Sequence, residues 1–274
     1  MATDTRRVAV LIDADNASAA HARAMFEEVA KHGEANIRRM YGEFSQQRLK
    51  GWLDQMLPLA ITARFERAFT SGKNAADIAM VIYEMDLMHT GVVDTFCLVT
   101  SDSDFTGLAR RLRENDKTVM GFGERKTPEA FRNACNRFIY IENLEPAVAD
   151  APPAEAGGED RKGGRRRPAA KAARKPGGGD QGQEQPSPEP AISASAAEKE
   201  PPSRATARIL KAMADLEDDE GWAMLAAVGS QLQKMFPDFD PRTYGSRKLS
   251  DVVQKSGSFE VEKTEGRQLR IRQL

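Results

Sequence analysis

The chain has 274 residues, of which 40% are hydrophobic and 30% are charged, and its formal net charge is −1. Such a composition supports one sizeable domain or two smaller ones, and the near-zero charge gives no overall argument for a nucleic-acid partner. No apolar run approaches the roughly 18–20 residues of a membrane helix. Cys97 and Cys135 lie far apart in predicted core elements, and the three histidines have no zinc spacing. We therefore expect a cytoplasmic protein with no membrane segment.

Strand and helix patterns alternate along the first part of the chain. Strands are predicted at 8–12, 35–41, 60–65, 95–100, 118–122 and 137–141. Helices are predicted at 18–31, 45–57, 75–89, 104–114 and 128–135. This alternation is typical of an α/β domain in which helices cover both faces of a mostly parallel sheet. We place this domain at residues 1–146.

The composition changes abruptly near residue 147. From there to residue 203 the chain is rich in Ala, Pro, Gly, Ser and charge, so we predict a disordered linker. Within it, 161–175 reads "RKGGRRRPAAKAARK", with eight basic residues and no acid. A flexible basic tract increases non-specific affinity for phosphate backbones, although a solubilising spacer explains the same composition equally well.

Periodic apolar patterning resumes in the last segment, residues 204–274. Three helical stretches precede "SFEVEKTEGRQLRIRQL", which alternates around Gly266 like a β-hairpin. Three helices and a hairpin predict a small winged helix-turn-helix. The basic side chains that we expect to contact RNA phosphates are Arg242, Arg247 and Lys248 from the helices, with Arg267 and Arg270 on the wing. The charge balance of this module leaves a protein-docking role open.

Carboxylates follow two of the predicted strands of the first domain. Asp13 ends the apolar run of "VAVLIDADN", and Asp102 and Asp104 follow "FCLVT". The carboxyl ends of parallel strands meet at one edge of a sheet, where functional groups gather. A further acid, Asp77, lies at the start of a strongly apolar helix, where a carboxylate is mildly favoured. The sequence therefore predicts an acidic sheet edge.

Several carboxylates on one edge need a counter-charge, and oxygen ligands suit Mg²⁺ or Mn²⁺. Such an ion activates water and neutralises charge on a phosphodiester during in-line displacement. Asn16 and Ser101 add polar groups that orient water or a ligand, and Arg125 and Lys126 are among the basic residues that could grip phosphates.

Two other interpretations stay open. An Asp at a strand end is often the N-cap of the next helix, as Asp13, Asp77 or Asp104 could each be. The "DADN" run is also similar to the DxD motif of haloacid-dehalogenase-like phosphatases, although Ala17 stands where that motif has Thr or Val.

Three motifs in order resemble the NYN domain, a PIN-like nuclease group that includes LabA-like proteins. They are "LIDADN", "GKNAADIAMVIYEMDLM" and "LVTSDSDFTGLARRLRE". The resemblance covers most of residues 6–143 and implies a Rossmann-like α/β/α fold and divalent-metal-dependent RNA cleavage. It implies these metal-binding, catalytic acids: Asp13, Asp77, Asp102 and Asp104. It also implies supporting roles for Asn16 and Ser101, with Lys73 nearby.

The last segment resembles the LOTUS, or OST-HTH, domain over about 205–272. The resemblance is carried by "GWAMLAAVGSQLQKMFPDFDPRTYGSRKLSDVV", and its Phe-Asp-Pro-Arg-x-Tyr-Gly run is especially specific. It implies RNA binding or, in some relatives, docking to another protein. The sequence as a whole favours a metal-dependent ribonuclease with a C-terminal RNA-binding module. A non-catalytic RNA-binding adaptor is the alternative.

Overall fold

The computed structural model describes residues 6–42, 49–65, 75–144, 199–264 and 266–274. The described parts of Met1–Ala147 and Ala196–Leu274 belong to one compact unit. The basic tract at 161–175 and Lys73 lie outside the described residues. The predicted linker ends too late at residue 203, because a 3-10 helix at Pro202–Ala205 already belongs to the folded C-terminal module.

The first part of the chain forms a six-stranded sheet in the order β3-β2-β1-β4-β5-β6, and every neighbouring pair is parallel. Its strands are β1 (Arg7–Asp13), β2 (Glu34–Gly42), β3 (Thr62–Phe65), β4 (Thr95–Val99), β5 (Thr118–Gly123) and β6 (Arg137–Tyr140). The helices are α1 (Ala22–Ala30), α2 (Lys50–Met56), α3 (Ala75–His89), α4 (Thr106–Glu114) and α5 (Glu129–Ala134). This architecture confirms the predicted α/β fold.

Alternate residues of β1 point to opposite faces of the sheet and enter two separate cores. Val10 lies in the core on the α1 side of the sheet, together with Val29 of α1. Leu11 lies in the core on the opposite side, together with Leu112 of α4. All five residues of β4 are buried, as expected for a central strand of a parallel sheet that is covered on both faces. The sheet is thus a rigid platform whose functional groups lie beyond its strand ends.

The C-terminal module consists of helices and a small antiparallel sheet in the order β7-β9-β8. Its elements are α6 (Thr206–Met213), β7 (Ala223–Met224), α7 (Leu225–Met235), α8 (Leu249–Ser256), β8 (Phe259–Lys263) and β9 (Leu269–Gln273). The predicted hairpin is confirmed as β8 and β9. The sequence missed β7, because two residues are too few to show a period. Among the described residues, no helix has the length and apolarity to span a bilayer.

Gly121 tests how tightly the sheet packs beside α5. A Cβ atom at this position would lie 2.6 Å from Phe138 Cδ2 and 2.8 Å from Cys135 Sγ. We expect Gly121→Ala to lower the free energy of unfolding by about 1–3 kcal/mol, because the buried neighbours must shift. Urea denaturation monitored by circular dichroism measures this change.

Gly107→Ala is the matched control, because a Cβ atom at this helical position meets nothing within 4 Å. We expect it to leave stability unchanged or to raise it by at most about 1 kcal/mol. Equal stabilities for the two variants would contradict the packing that is described here for β5.

Candidate active site

The ends of β1 and β4 lie side by side, since Ile12 pairs with Val99 in the parallel register. One residue further on, Asp13 Oδ2 accepts a hydrogen bond of 2.7 Å from the hydroxyl of Thr100. Asp13 Oδ1 accepts a second, of 3.2 Å, from the backbone N–H of Asn16. Burial raises the pKa of Asp13, while the bonds from Thr100 and Asn16 act in the opposite direction. Asp13 is therefore a fixed, buried carboxyl group.

Thr100 is the residue of this site that sequence reasoning missed. Its side chain is fully buried, and its hydroxyl oxygen accepts a 3.0 Å hydrogen bond from the backbone N–H of Asp102. One hydroxyl thus connects Asp13 to the segment that carries the next acids. A Thr that continues an apolar strand has no signal of this role in the sequence, because Thr is itself a common strand residue.

Asp102 caps the 3-10 helix Ser103–Phe105, since its Oδ1 accepts a 2.9 Å hydrogen bond from the N–H of Asp104. The capping role that was considered for Asp104 therefore belongs to Asp102, and Asp104 lies exposed in the first turn. Ser101 Oγ accepts a 3.0 Å bond from the N–H of Glu124, which ties the end of β4 to the loop after β5. Ser101 thus acts as a structural support in this arrangement.

The pKa of Asp77, near the start of α3, is affected by the other acids at this edge of the sheet. Burial raises its pKa first, and the charges of four other carboxylates raise it further, to about 6. Those carboxylates are Asp13, Asp102, Asp15 and Asp104. Asp77 is therefore close enough to Asp13, Asp102 and Asp104 for their charges to act on its carboxyl group. Asp15, which the sequence analysis did not include, is part of the same acidic group.

An open cavity of about 400 Å³ lies at this edge of the sheet. Its lining residues are Asp15, Asn16, Ala17, Ser101, Asp102, Ser103, Glu124, Lys126 and Pro128. Lys126 Nζ lies 2.8 Å from Glu124 Oε2, so a cation and an anion of the same loop share this wall. Glu124 was not predicted, because it follows β5 and is distant in sequence from the acidic motifs.

The donor chemistry of the site fits a divalent cation of the Mg²⁺ type. All its ligand-type groups are oxygens, and burial together with the charges of four neighbouring carboxylates raises the pKa of Asp77. As placed, however, no three His, Cys, Asp or Glu side chains among the described residues form a metal-binding group. Asp104 is exposed and Asp102 is partly exposed, whereas Asp13 is buried and held in place by Thr100.

The five residues that were predicted to contact RNA fall into two groups. Arg242 is held by Asp240, at 2.6 Å, and by Glu28, at 3.1 Å. Arg270 donates to Glu262 and stacks over Trp222, 4.4 Å from the ring centroid. By contrast, three basic residues are exposed and form no ion pair with another described residue. These are Arg247, Lys248 and Arg267.

Comparison with known families covers both folded parts. Residues 7–142 match the family model of the NYN domain, and residues 199–271 match that of the OST-HTH/LOTUS domain. A protein of unknown function from Vibrio parahaemolyticus is 18% identical, and the match covers 52% of this chain and 96% of that one, with a TM-score of 0.43. For an uncharacterized protein from Nitrosomonas europaea, studied by solution NMR, the identity is 34%, the coverages are 34% and 92%, and the TM-score is 0.25. No curated protein matches the chain significantly.

The carboxylate crowding around Asp77 has a measurable effect on stability. Its pKa rises from 3.8 to about 6 on folding, so stability is lost as the pH increases through this interval. We expect Asp77→Asn to raise the melting temperature at pH 8, in EDTA, by roughly 2–4 °C, or ~1 kcal/mol once solvent screening is allowed for. The difference from wild type should become much smaller at pH 4, where the carboxyl group is almost fully protonated in the folded protein and only partly ionised in the unfolded chain.

Asp86→Asn is the matched control, because Asp86 lies exposed on the same helix. Thermal scans at both pH values compare the three proteins. A melting temperature of Asp77→Asn that equals that of wild type at pH 8 would show that the acids do not crowd Asp77.

Proposed function

We propose that this protein, which consists of an NYN domain followed by an OST-HTH/LOTUS domain, is a divalent-metal-dependent ribonuclease. NYN is a nuclease-type domain of the PIN-like class, and the OST-HTH/LOTUS domain is an RNA-binding domain. The proposal is carried by acids from separate elements of the sheet edge: the charges of four neighbouring carboxylates raise the pKa of Asp77, and one of them, Asp102, lines the open cavity.

In this proposal the acids have different tasks. Asp13 is the fixed ligand, because Thr100 holds its carboxylate and β1 holds its backbone. Asp77, Asp102 and Asp104 complete the set from more exposed positions. Mg²⁺ or Mn²⁺, when bound, supplies positive charge to the scissile phosphate and to the attacking water. Asn16, Ser101 and Lys73 keep the supporting roles that the family resemblance implies.

The cavity wall also offers a contact for the RNA backbone. Lys126 lines the cavity and its ammonium group is largely exposed, although Glu124 lies within 2.8 Å. A phosphate that enters the cavity would compete with Glu124 for this cation. We assign Lys126 to substrate binding, because its positive charge attracts the phosphate, whereas the acids attract the metal ion.

The cysteines support a cytoplasmic location. Cys97 and Cys135 are both buried and free, and burial raises the pKa of both thiols. Such inert, reduced thiols suit a reducing compartment.

The phosphatase alternative finds less support than the nuclease. It rests on the "DADN" run alone, in which Ala17 stands where the phosphatase motif has Thr or Val. The remaining alternative is a non-catalytic RNA-binding adaptor. The cleavage assay below distinguishes it from a nuclease.

Asp102→Asn tests the nuclease directly. The Asn oxygen still accepts the capping bond from Asp104, so the variant removes charge and keeps the local structure. We expect RNA cleavage to fall by at least about 100-fold, the scale on which single electrostatic groups act in catalysis. The assay follows end-labelled single-stranded, duplex and G-rich RNAs with Mg²⁺, Mn²⁺ or EDTA, with Asp86→Asn as the control.

The outcome distinguishes the two functions. Cleavage that depends on the metal and is lost in Asp102→Asn supports the ribonuclease. Wild-type rates in the variant would show that the acidic site is wrongly assigned. Metal-independent RNA binding without cleavage by either protein would identify an adaptor.

RNA binding by the C-terminal domain is tested in the background of Asp102→Asn, which keeps the RNA intact. We expect the double variant Arg247→Ala/Lys248→Ala to weaken RNA binding. The slope of the logarithm of the binding constant against the logarithm of the salt concentration should become less steep by ~1–2. The control Lys211→Ala/Lys234→Ala removes the same charge from α6 and α7. Equal affinities for both double variants would contradict an RNA surface at the start of α8.

A further inference from the structure

The open edge of the large sheet is occupied by the C-terminal module. β6 is the last strand of the sheet, so one side of its backbone has no partner strand. On that side, the N–H of Phe138 donates a 2.8 Å hydrogen bond to the carbonyl oxygen of Pro237, which follows α7. A backbone group of the NYN domain is therefore satisfied by the second domain.

Asp238, the next residue, is a buried carboxylate with only 6% exposure. It accepts hydrogen bonds from Arg132 of α5 and, at 2.8 Å, from the hydroxyl of Tyr140 in β6. Of the donors to Asp238 among the described residues, one, Arg208 at 3.2 Å, belongs to its own domain. Without the NYN domain, Asp238 would lose two of these three donors.

The same relation holds in the reverse direction at Glu28 of α1, which is 4% exposed. Arg242 of the C-terminal module donates to Glu28 at 3.1 Å, and Asp240 orients the same guanidinium group. Each domain thus places a buried carboxylate against an arginine of the other. Charge pairs that are buried and hydrogen-bonded in this way fix the register of an interface.

We propose that residues 237–244 are a docking segment, which binds the C-terminal module to the NYN domain of the same chain at β6, α1 and α5. This segment includes most of the Phe-Asp-Pro-Arg-x-Tyr-Gly run. Its residue Thr243 receives a further hydrogen bond of 2.8 Å from Asn143. Arg242 consequently acts in docking and not in RNA binding.

The docked module also contacts the loop beside the acidic cavity. Glu200, whose N–H is bonded to the carbonyl of Thr243, lies 3.5 Å from the guanidinium of Arg125. Arg125 stands between Glu124 and Lys126, two residues that line the cavity. Docking therefore restrains the cavity wall that holds Lys126. The restraint itself does not depend on RNA. Its importance for catalysis rests on the proposed ribonuclease function.

The first experiment uses the full chain with a specific protease site inserted between Gly178 and Gly179. After cleavage, the two halves are followed by size-exclusion chromatography with light scattering in 0.1 M salt. We expect them to elute together with the mass of one uncut chain. Separate elution would overturn the docking proposal, and a mass of two chains would show exchange between copies instead. Neither readout depends on nuclease activity.

The interface is then tested from both sides with Asp238→Ala and Arg132→Ala. We expect each to weaken the association of the cleaved halves by at least about 30-fold, as for truncation of one partner in a buried charge pair. Asp219→Ala, an exposed acid of the same module, is the control and should change nothing. If circular dichroism shows that Asp238→Ala is misfolded, Arg132→Ala still tests the interface. Unchanged association in Arg132→Ala would overturn the assigned interface.

The restraint on the cavity wall is tested in the uncut chain by hydrogen–deuterium exchange. We expect Glu200→Ala to increase the exchange rate of peptides over 124–128 at least about twofold, because Arg125 loses its contact with the C-terminal module. The cleaved halves of this variant should still elute together. Unchanged exchange over 124–128 would overturn the link between docking and the cavity wall and leave docking itself in place.

Discussion

One buried hydrogen bond, from Thr100 to Asp13, joins the ends of the two central strands, and the acidic edge depends on it. The bond is 2.7 Å long, and both residues are almost fully buried. Because β1 and β4 are parallel neighbours, no loop is needed to bring their carboxyl ends together. The same hydroxyl also holds the N–H of Asp102. The sheet therefore fixes one acid rigidly and positions the segment of the next.

Two carboxylates of this chain, Glu28 and Asp77, are in opposite electrostatic situations. For Glu28, burial is outweighed by Lys31 and Arg242, and its pKa lies below the ordinary value. For Asp77, burial and neighbouring acids act together, so its pKa is raised to about 6. A carboxylate that is paired with cations stabilises a protein contact, whereas a carboxylate whose charge is opposed by neighbouring acids favours a cation from solution. Glu28 at the interface and Asp77 at the candidate active site differ in this respect.

The fold could be predicted from the sequence, and the acids of the candidate site could be proposed from it, because their signals are local. Strand and helix periods lie within single elements, and Asp13 and Asp102 directly follow apolar runs. Thr100 could not be predicted, since its hydrogen bonds depend on strand order. The role of Arg242 was equally hidden, because its partner Glu28 is 214 residues away. Such long-range pairs have no period or spacing that a single sequence reveals.

Docking also changes how the basic residues of the C-terminal module are interpreted. A count of lysines and arginines treats them alike, but Arg242 and Arg270 are neutralised by neighbouring carboxylates. Their charge is already used within the protein, so displacing it onto a phosphate would leave buried or paired acids without partners. Arg247, Lys248 and Arg267 have no such opposing contact with a described residue. The RNA-binding proposal for this module therefore rests on these three residues and not on its nearly balanced total charge.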